Sequence, residues 1–210
     1  MTYCYRKLYL STQYMKIIFI ILGMLLMSQN LLADISSEEN KKVQASQFTK
    51  VVADYKLPEV NVVRQDGKKL SFLKELNDGR PVILNFVFIS CSAICPMLSH
   101  ILSKVETQLT KDGQKFHLIT ISIDPENDTP SALTVYAKKF DAGVNWDFYT
   151  STREASLTIQ KAFKAFRGDK MNHASLIFLR PFAGKSWVRL EGFMSPDDVV
   201  AEYNAMLKTQ

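Results

Sequence analysis

The order of apolar runs and turn signals along this sequence predicts an α/β fold, in which a mixed β-sheet carries helices on both faces. Two observations support this prediction. Residues 81–89 and residues 116–123 form nearly continuous apolar runs, which are typical of strands covered on both faces. An amphipathic segment lies between the two runs, and a strand, helix, strand sequence of this length forms a right-handed parallel βαβ unit.

Residues 1–33 have the pattern of an export signal. Three basic residues precede an unbroken apolar run at residues 17–27, and residues 31–33 resemble a small-residue cleavage site. The apolar run is shorter than the ~20 residues that span a bilayer, but its extension to Ala33 leaves an uncleaved membrane anchor as the alternative. We therefore expect an exported protein in the periplasm or at the outer face of the inner membrane, with membrane contact only if the leader is retained.

Removal of the leader changes the charge and the cysteine count. The whole chain has 26 basic and 21 acidic residues and a formal net charge of +5. The leader holds three of the basic residues and none of the acidic ones, which leaves 23 basic and 21 acidic residues and a charge of +2. Because no basic cluster interleaved with aromatic residues remains, we expect no nucleic-acid partner. The leader also contains Cys4, so Cys91 and Cys95 must pair with each other, hold a metal or stay reduced.

Residues 34–55 are polar and carry no motif, which predicts a tether that leads into a single domain over residues 56–210. The composition, with 47 % hydrophobic and 22 % charged residues, is that of an ordinary globular domain. The domain is expected to begin with an N-terminal β-hairpin, because the Asp66-Gly67 turn lies between the strand-like segments 60–64 and 69–73.

The helix after the first buried strand is expected to run from Cys95 to Lys111, because Pro96 suits the first helical position and apolar residues then recur on one face. Another helix is expected from Pro130, which follows an N-capping threonine. The remaining elements are a strand, a helix, an antiparallel pair of strands and a final helix opened by a capping box, with expected ranges 146–149, 152–166, 174–180, 186–193 and 199–208. The order hairpin, βαβ, helix, ββα is that of a thioredoxin-like fold.

Two cysteines lie where the first buried strand meets the following helix, in the segment Cys91-Ser-Ala-Ile-Cys95-Pro96. Pro96 places Cys95 at or beside the N-cap of the helix and Cys91 in the turn before it. The unpaired backbone N–H groups and the positive end of the helix dipole favour thiolates and lower the cysteine pKa values. A disulfide needs Cβ atoms about 3.5–4.5 Å apart, whereas a metal requires only that the sulfurs stand roughly 3.8–4.6 Å apart. The turn therefore permits a structural disulfide, dithiol redox chemistry or the binding of a soft metal.

A histidine and a carboxylate are candidates to join the two sulfurs. In an open α/β sheet, ligand groups gather where the strands end at their carboxyl edge, and Cys91, Cys95 and Asp124 all follow adjacent strands there. His173 enters a strand from a loop that faces this edge, so it can reach the sulfurs, although it also fits the pattern of an ordinary loop residue. We expect Asp124 to support the site without binding the metal itself.

The donor atoms indicate which metal fits. Two thiolates and one imidazole suit Cu(I) and tolerate Cu(II) or zinc. A structural zinc site usually has a fourth protein ligand, so zinc ranks below copper. The other two histidines are expected to take no part in the site, because His100 lies about 140° around the helix from Cys95 and His117 begins a buried strand.

Taken together, these residues resemble the Sco/SenC family, which are thioredoxin-fold copper-binding proteins linked to assembly of the copper site of cytochrome c oxidase. The resemblance covers roughly residues 58–207. It rests on the Cys91–Pro96 segment, on the sequence Ser-Ile-Asp-Pro-Glu-Asn-Asp-Thr-Pro at residues 122–130, and on His173 ahead of a strand. The family usually has proline after the first cysteine, where this chain has Ser92. It usually has aspartate before the histidine, where this chain has Asn172. The surroundings that tune redox potential and client recognition therefore differ.

The resemblance implies that Cys91, Cys95 and His173 bind copper, as Cu(I) or Cu(II), and that Asp124 is a nearby supporting carboxylate. Two functions follow from it. As a metallochaperone, the protein passes copper to a client, such as a cytochrome c oxidase subunit or another cuproenzyme, by stepwise ligand exchange. As a thiol-disulfide oxidoreductase, its redox-active pair, Cys91 and Cys95, acts on the cysteines of a copper-receiving client. His173 discriminates between the two, because three-coordinate copper requires it and redox exchange does not.

Overall fold

The computed structural model describes residues 47–209, so the predicted leader and most of the predicted tether lie outside the described residues. The strands of this part are β1 (Gln47–Ala53), β2 (Asn61–Arg64), β3 (Lys69–Ser71), β4 (Val82–Val87), β5 (His117–Ser122), β6 (Trp146–Thr150), β7 (Leu176–Arg180) and β8 (Trp187–Phe193). Its helices are α1 (Phe72–Leu76), α2 (Ile94–Lys111), α3 (Pro130–Lys139), α4 (Arg153–Ala162) and α5 (Pro196–Lys208), with a short 3₁₀ helix at Lys170–Asn172. Among these helices, none combines the length and the apolar character needed to span a bilayer.

The strand pairing confirms the predicted mixed sheet. Its order is β1-β8-β7-β4-β5-β6-β2-β3. β2 and β3 form the predicted antiparallel hairpin, with Val62 opposite Leu70. β4 and β5 are parallel neighbours connected through α2, with Ile83 opposite Leu118, which is the predicted βαβ unit. β7 runs antiparallel to both β4 and β8, so the ββα unit at the end of the chain completes the thioredoxin-like arrangement.

The core lies in two layers, one on each face of the sheet. Side chains of β4 alternate between them: Ile83 and Val87 pack on the face that carries α2, α3 and α5, whereas Leu84 and Phe86 pack on the face that carries α1 and α4. Every residue of β4 and β5 is buried. Burial on both faces explains why the sequence is nearly continuously apolar at these two strands.

The tether prediction is wrong for residues 47–53, which form the edge strand β1 and pair antiparallel with β8. Phe48 packs against the core, but Val51 and Val52 are 50 % and 63 % exposed. An edge strand that is fixed mainly by its backbone hydrogen bonds carries little alternation of apolar and polar residues. Residues 47–53 mix polar and apolar side chains without strict alternation, so no local pattern marks them as a strand.

Several elements differ from their predicted bounds: α5 begins at Pro196 and not at residue 199, and larger differences occur at α1 and α4. The second strand of the hairpin was expected to reach residue 73, but it ends at Ser71, and α1 begins at Phe72 because Phe72 and Leu76, one helical turn apart, are both buried. α4 was expected to reach residue 166, but it ends at Ala162. Lys164 has a φ of 53°, and this left-handed conformation ends a right-handed helix.

The sheet topology brings three loops to one edge. β4 and β5 are parallel, so the loops that leave them, after Val87 and after Ser122, start side by side. β7 is antiparallel to β4, so the loop that precedes Leu176 lies at this same edge. Residues that are far apart in the sequence therefore meet there.

Candidate metal centre

The turn that joins β4 to α2 places the cysteines. The backbone N–H of Cys91 donates to the carbonyl of Phe88 at 3.1 Å, which closes the turn. α2 begins at Ile94, so Cys95 is its second residue and Pro96 its third. The prediction that Pro96 is the first helical residue is therefore wrong by two positions. Because the first four N–H groups of a helix have no intrahelical acceptor, a proline is tolerated throughout this first turn.

Two free thiols and an imidazole converge at this helix end. The sulfur of Cys91, the sulfur of Cys95 and one ring nitrogen of His173 all lie within 4.8 Å of one another. Cys95 Sγ lies 3.0 Å from His173 Nε2. Cys95 is only 2 % exposed, and Cys91 and His173 are half-buried. The three residues selected from the sequence as metal ligands are thus brought together by the fold.

The two sulfurs have different electrostatic surroundings. Burial opposes ionisation of Cys91, but the N–H groups of the helix start and the neighbouring Cys95 side chain outweigh it and hold the pKa of Cys91 below its ordinary value. Burial raises the pKa of Cys95 far above its ordinary value, although the N–H of Phe88 donates to Cys95 Sγ at 3.5 Å. Cys91 therefore ionises first. A thiolate beside a neutral thiol is the division of roles used in thiol-disulfide exchange.

The 3₁₀ helix at Lys170–Asn172 presents His173. The Asp169 side chain caps it by accepting the N–H of Met171 at 2.8 Å. His173 Nδ1 lies 2.9 Å from the carbonyl of Lys170. A carbonyl can only accept, so Nδ1 carries the hydrogen, and the lone pair of Nε2 points toward the sulfurs. Burial lowers the pKa of His173, which favours the neutral form that binds metals.

Asp124 is connected to the histidine loop through Lys170. Its carboxylate is 6 % exposed and accepts hydrogen bonds from Lys170 Nζ at 2.6 Å and from Asn127 Nδ2 at 3.0 and 3.1 Å. Lys170 also supplies the carbonyl that orients His173, so this ion pair anchors the residue behind the imidazole. Asp124 is not part of the three-residue ligand group. Its supporting role stays a prediction, and its position agrees with it.

A second buried carboxylate, Asp128, was not predicted. It is fully buried, and its carboxylate accepts a hydrogen bond from the hydroxyl of Ser122 at 2.6 Å. Its two oxygens lie 3.3 and 3.4 Å from the backbone nitrogen of Ile89, whose N–H donates to them. Ile89 leads into the turn of Cys91, and Ser122 ends β5, so Asp128 links two of the three loops at the site. The available signal was a third acidic residue in the segment 122–130, after Asp124 and Glu126. An acidic residue in an exposed loop would look the same in the sequence, so this signal does not identify a buried carboxylate.

A cavity of about 460 Å³ opens beside the histidine. Its walls include His173, Lys170 and Asp124, and α4 contributes Arg153 and Ser156. The imidazole is therefore accessible from solvent while Cys95 is enclosed. A group on an incoming molecule can approach the histidine side of the site without unfolding the cysteine turn.

The two remaining histidines lie away from the ligand group, as expected. His100 is exposed on α2. His117 is 1 % exposed at the start of β5, at the end of the sheet opposite the sulfurs, and its ring nitrogens lie 3.0 Å from both Asp78 and Asp147. This charged cluster was not predicted, because its members come from three separate segments of the chain.

This chain is similar in sequence and in fold to proteins of one family. The family model for SCO1/SenC matches residues 44–208. The SCO1 protein homolog of Bacillus subtilis is 26 % identical over 160 residues, which cover 71 % of this chain and 81 % of that protein. BsSco, whose structure is solved, is a member of the Sco family of cytochrome c oxidase assembly proteins and has a disulfide switch. Its sequence is 26 % identical to this chain, and the two structures superpose with a TM-score of 0.64 over 77 % of this chain and 99 % of BsSco.

A more distant structure has the same fold. ScoI of Bradyrhizobium japonicum, solved with copper bound, is 23 % identical with a TM-score of 0.56, covering 70 % of this chain and 96 % of that one. The SCO1/SenC model spans nearly all the residues that the structure describes. This chain therefore belongs to the SCO1/SenC family.

Proposed function

We propose that this chain is an extracytoplasmic copper metallochaperone that holds one copper ion through Cys91, Cys95 and His173. The observation that carries the proposal is the convergence of two sulfurs and one imidazole nitrogen within 4.8 Å of one another. Thiolate and imidazole donors suit Cu(I), and an imidazole also suits Cu(II). The predicted export signal supports a location outside the cytoplasm.

The distances allow a three-coordinate ion with a small adjustment. For metal–ligand bonds of about 2.0–2.3 Å, the donor atoms around a trigonal ion stand roughly 3.6–4.0 Å apart. The Cys95–His173 contact of 3.0 Å then has to widen by about 1 Å or less. A small shift of the histidine loop is enough for this change, and the enclosed Cys95 can stay in place.

The relatives support copper and a respiratory client. ScoI of Bradyrhizobium japonicum binds copper in its solved structure, and BsSco belongs to a family of cytochrome c oxidase assembly proteins. We propose that the client here is a copper-receiving subunit of that oxidase or another cuproenzyme. Because His173 borders the cavity, a client ligand can displace the imidazole first and the sulfurs afterwards.

Thiol-disulfide exchange is the second candidate function, and the unequal sulfurs favour it. The thiolate of Cys91 attacks a client disulfide, forms a mixed disulfide and releases one client thiolate. Cys95 then loses its proton and attacks Cys91 Sγ, which releases the second client thiolate and leaves a Cys91–Cys95 disulfide. Two electrons pass from the pair to the client. This reaction would prepare client cysteines to receive copper.

A Cu(I) competition titration against a chelator of known affinity tests the proposal. We expect the reduced protein to bind one copper ion and the oxidised protein to bind none. His173→Ala should weaken binding at least tenfold, which is about 1.4 kcal/mol or more. His100→Ala is the matched control, because it removes an exposed imidazole on α2 and should leave the affinity unchanged. Wild-type affinity in His173→Ala would favour the oxidoreductase function.

A further inference from the structure

Within residues 47–209, a buried cation without an ionic partner lies at the end of the sheet opposite the sulfurs. Arg180, the last residue of β7, is 3 % exposed. Its Nη2 donates to the carbonyl of Leu76 and to Asn77 Oδ1, the latter at 2.7 Å. Its guanidinium lies 4.7 Å from the ring centre of Trp187. No carboxylate of residues 47–209 forms an ion pair with it, and its Nε has no hydrogen-bond partner in that part of the chain.

These neutral contacts leave the charge of Arg180 uncompensated. A buried charge is costly unless it is paired and its donors are all hydrogen-bonded. Burial is the cause that lowers the pKa of Arg180, yet an arginine stays protonated in proteins. The helix-end carbonyl and the tryptophan face reduce the cost, but an anion from outside would remove more of it.

Space for such an anion adjoins the guanidinium. A cavity of about 330 Å³ is lined by Arg180 itself and by Asn77 and Trp187, the two side chains that contact it. A volume of this size is at the lower end of the range for small-molecule sites. The cavity and the uncompensated charge are therefore parts of one place in the fold.

The charges around this cavity favour a monoanion. Two exposed residues at its rim carry opposite charges, Lys185 and Asp54. With Arg180 they give a net charge of +1, which a carboxylate neutralises and a phosphate dianion overcompensates. The half-buried side chains of Tyr55 and Leu57 form an apolar wall, against which a short hydrocarbon group can pack.

We propose that this cavity, lined by Arg180, Trp187 and Lys185, binds a small organic carboxylate. The carboxylate accepts hydrogen bonds from the guanidinium, and its hydrocarbon part lies against Tyr55 and Leu57. Arginine is well suited to this role because its planar group of donors matches carboxylate geometry. The site does not depend on copper, since neither cysteine nor His173 lines it.

Titration of the full chain with sodium butyrate, followed by the NMR signals of the Arg180 Nε–H and the Trp187 indole N–H, tests the site directly. We expect saturable shifts of both signals. Butyramide, which has the same shape without the charge, and inorganic phosphate should each bind at least tenfold more weakly. Absence of saturation, or equal binding of butyramide or phosphate, would overturn the proposal.

Variants at the rim test the charge argument without touching the buried core. Lys185→Gln should weaken butyrate binding and Asp54→Asn should strengthen it, each by about twofold to fivefold, which is typical of exposed charge pairs. Lys104→Gln makes the same charge change on the exposed face of α2 and should have no effect. Arg180→Met should abolish binding. If Lys185→Gln and Asp54→Asn changed the affinity in the same direction, the assigned site would be wrong.

Discussion

Replacement of Ser122 by alanine should destabilise this protein strongly for the loss of a single oxygen atom. Ser122 is fully buried, and its Oγ donates to Asp128 Oδ2 at 2.6 Å and accepts the N–H of Asp124 at 3.0 Å. Alanine removes both bonds, so the buried N–H of Asp124 loses its acceptor and Asp128 Oδ2 keeps only the longer contact with the N–H of Ile89 at 3.3 Å. Each unsatisfied buried group costs about 1–3 kcal/mol, and more when it is charged, so we expect the free energy of unfolding to fall by about 3 kcal/mol.

Ser99→Ala is the matched control for this measurement. Ser99 is equally buried, but its hydroxyl bonds to the neutral hydroxyl of Tyr136 at 2.9 Å, so its loss should cost about 1 kcal/mol. For a urea slope of about 2 kcal/mol per molar, the unfolding midpoint should fall by about 1.5 M in Ser122→Ala and by about 0.5 M in Ser99→Ala. Equal midpoints would refute the argument that Asp128 depends on Ser122. Copper affinity should fall in Ser122→Ala alone, because Asp128 also holds the N–H of Ile89 ahead of the cysteine turn.

The remaining predictions concern the thiols and the buried histidine. Iodoacetamide should alkylate Cys91 faster than Cys95 at pH 7, because helix N–H groups lower the pKa of Cys91 and burial raises that of Cys95. Peptide mapping by mass spectrometry gives both alkylation rates, and equal rates would contradict the predicted difference between the two thiols. Burial opposes ionisation of Asp78 and Asp147, but hydrogen bonds from Arg80 to Asp78 and from His117 to Asp147 hold both pKa values below the ordinary value. Their stabilising contribution is therefore complete above about pH 4 and is lost as the pH falls through the lowered values. In His117→Phe, the free energy of unfolding, measured by chemical denaturation at several pH values, should fall less steeply below about pH 4. An unchanged pH dependence would exclude the histidine as the cause.

The elements that could be predicted from the sequence are those with a local cause. β4 and β5 are buried on both faces, so each lies in a nearly continuous apolar run of the sequence. The last helix begins with a capping box in which Ser195 and Asp198 bond to each other's backbone N–H groups, and both residues lie within one turn. The ligand group could also be predicted, because the rule for strand ends selects one edge of the sheet, and Cys91, Cys95 and His173 all border it.

The features that were missed depend on contacts between distant segments. β1 is fixed by its pairing with β8, about 140 residues away, as in the bond from Thr49 to Glu191. Asp128 is distinguished from a surface carboxylate only by the layers of structure that enclose it. The partner of Asp124 is Lys170, a residue 46 positions away. No local pattern encodes which of several loop lysines will reach a buried carboxylate.

His173 lies in the loop that leads into β7, and β7 is antiparallel to β4, so the ligand group forms only when these distant segments have folded together. Cys95 and His173 are 78 residues apart, and β4, β5 and β7 must be assembled before their side chains can touch. A partly folded chain offers the two sulfurs four positions apart without the imidazole of His173. If the three residues bind copper as proposed, tight binding requires the completed sheet, and loosening of β7 should weaken it while both thiols remain.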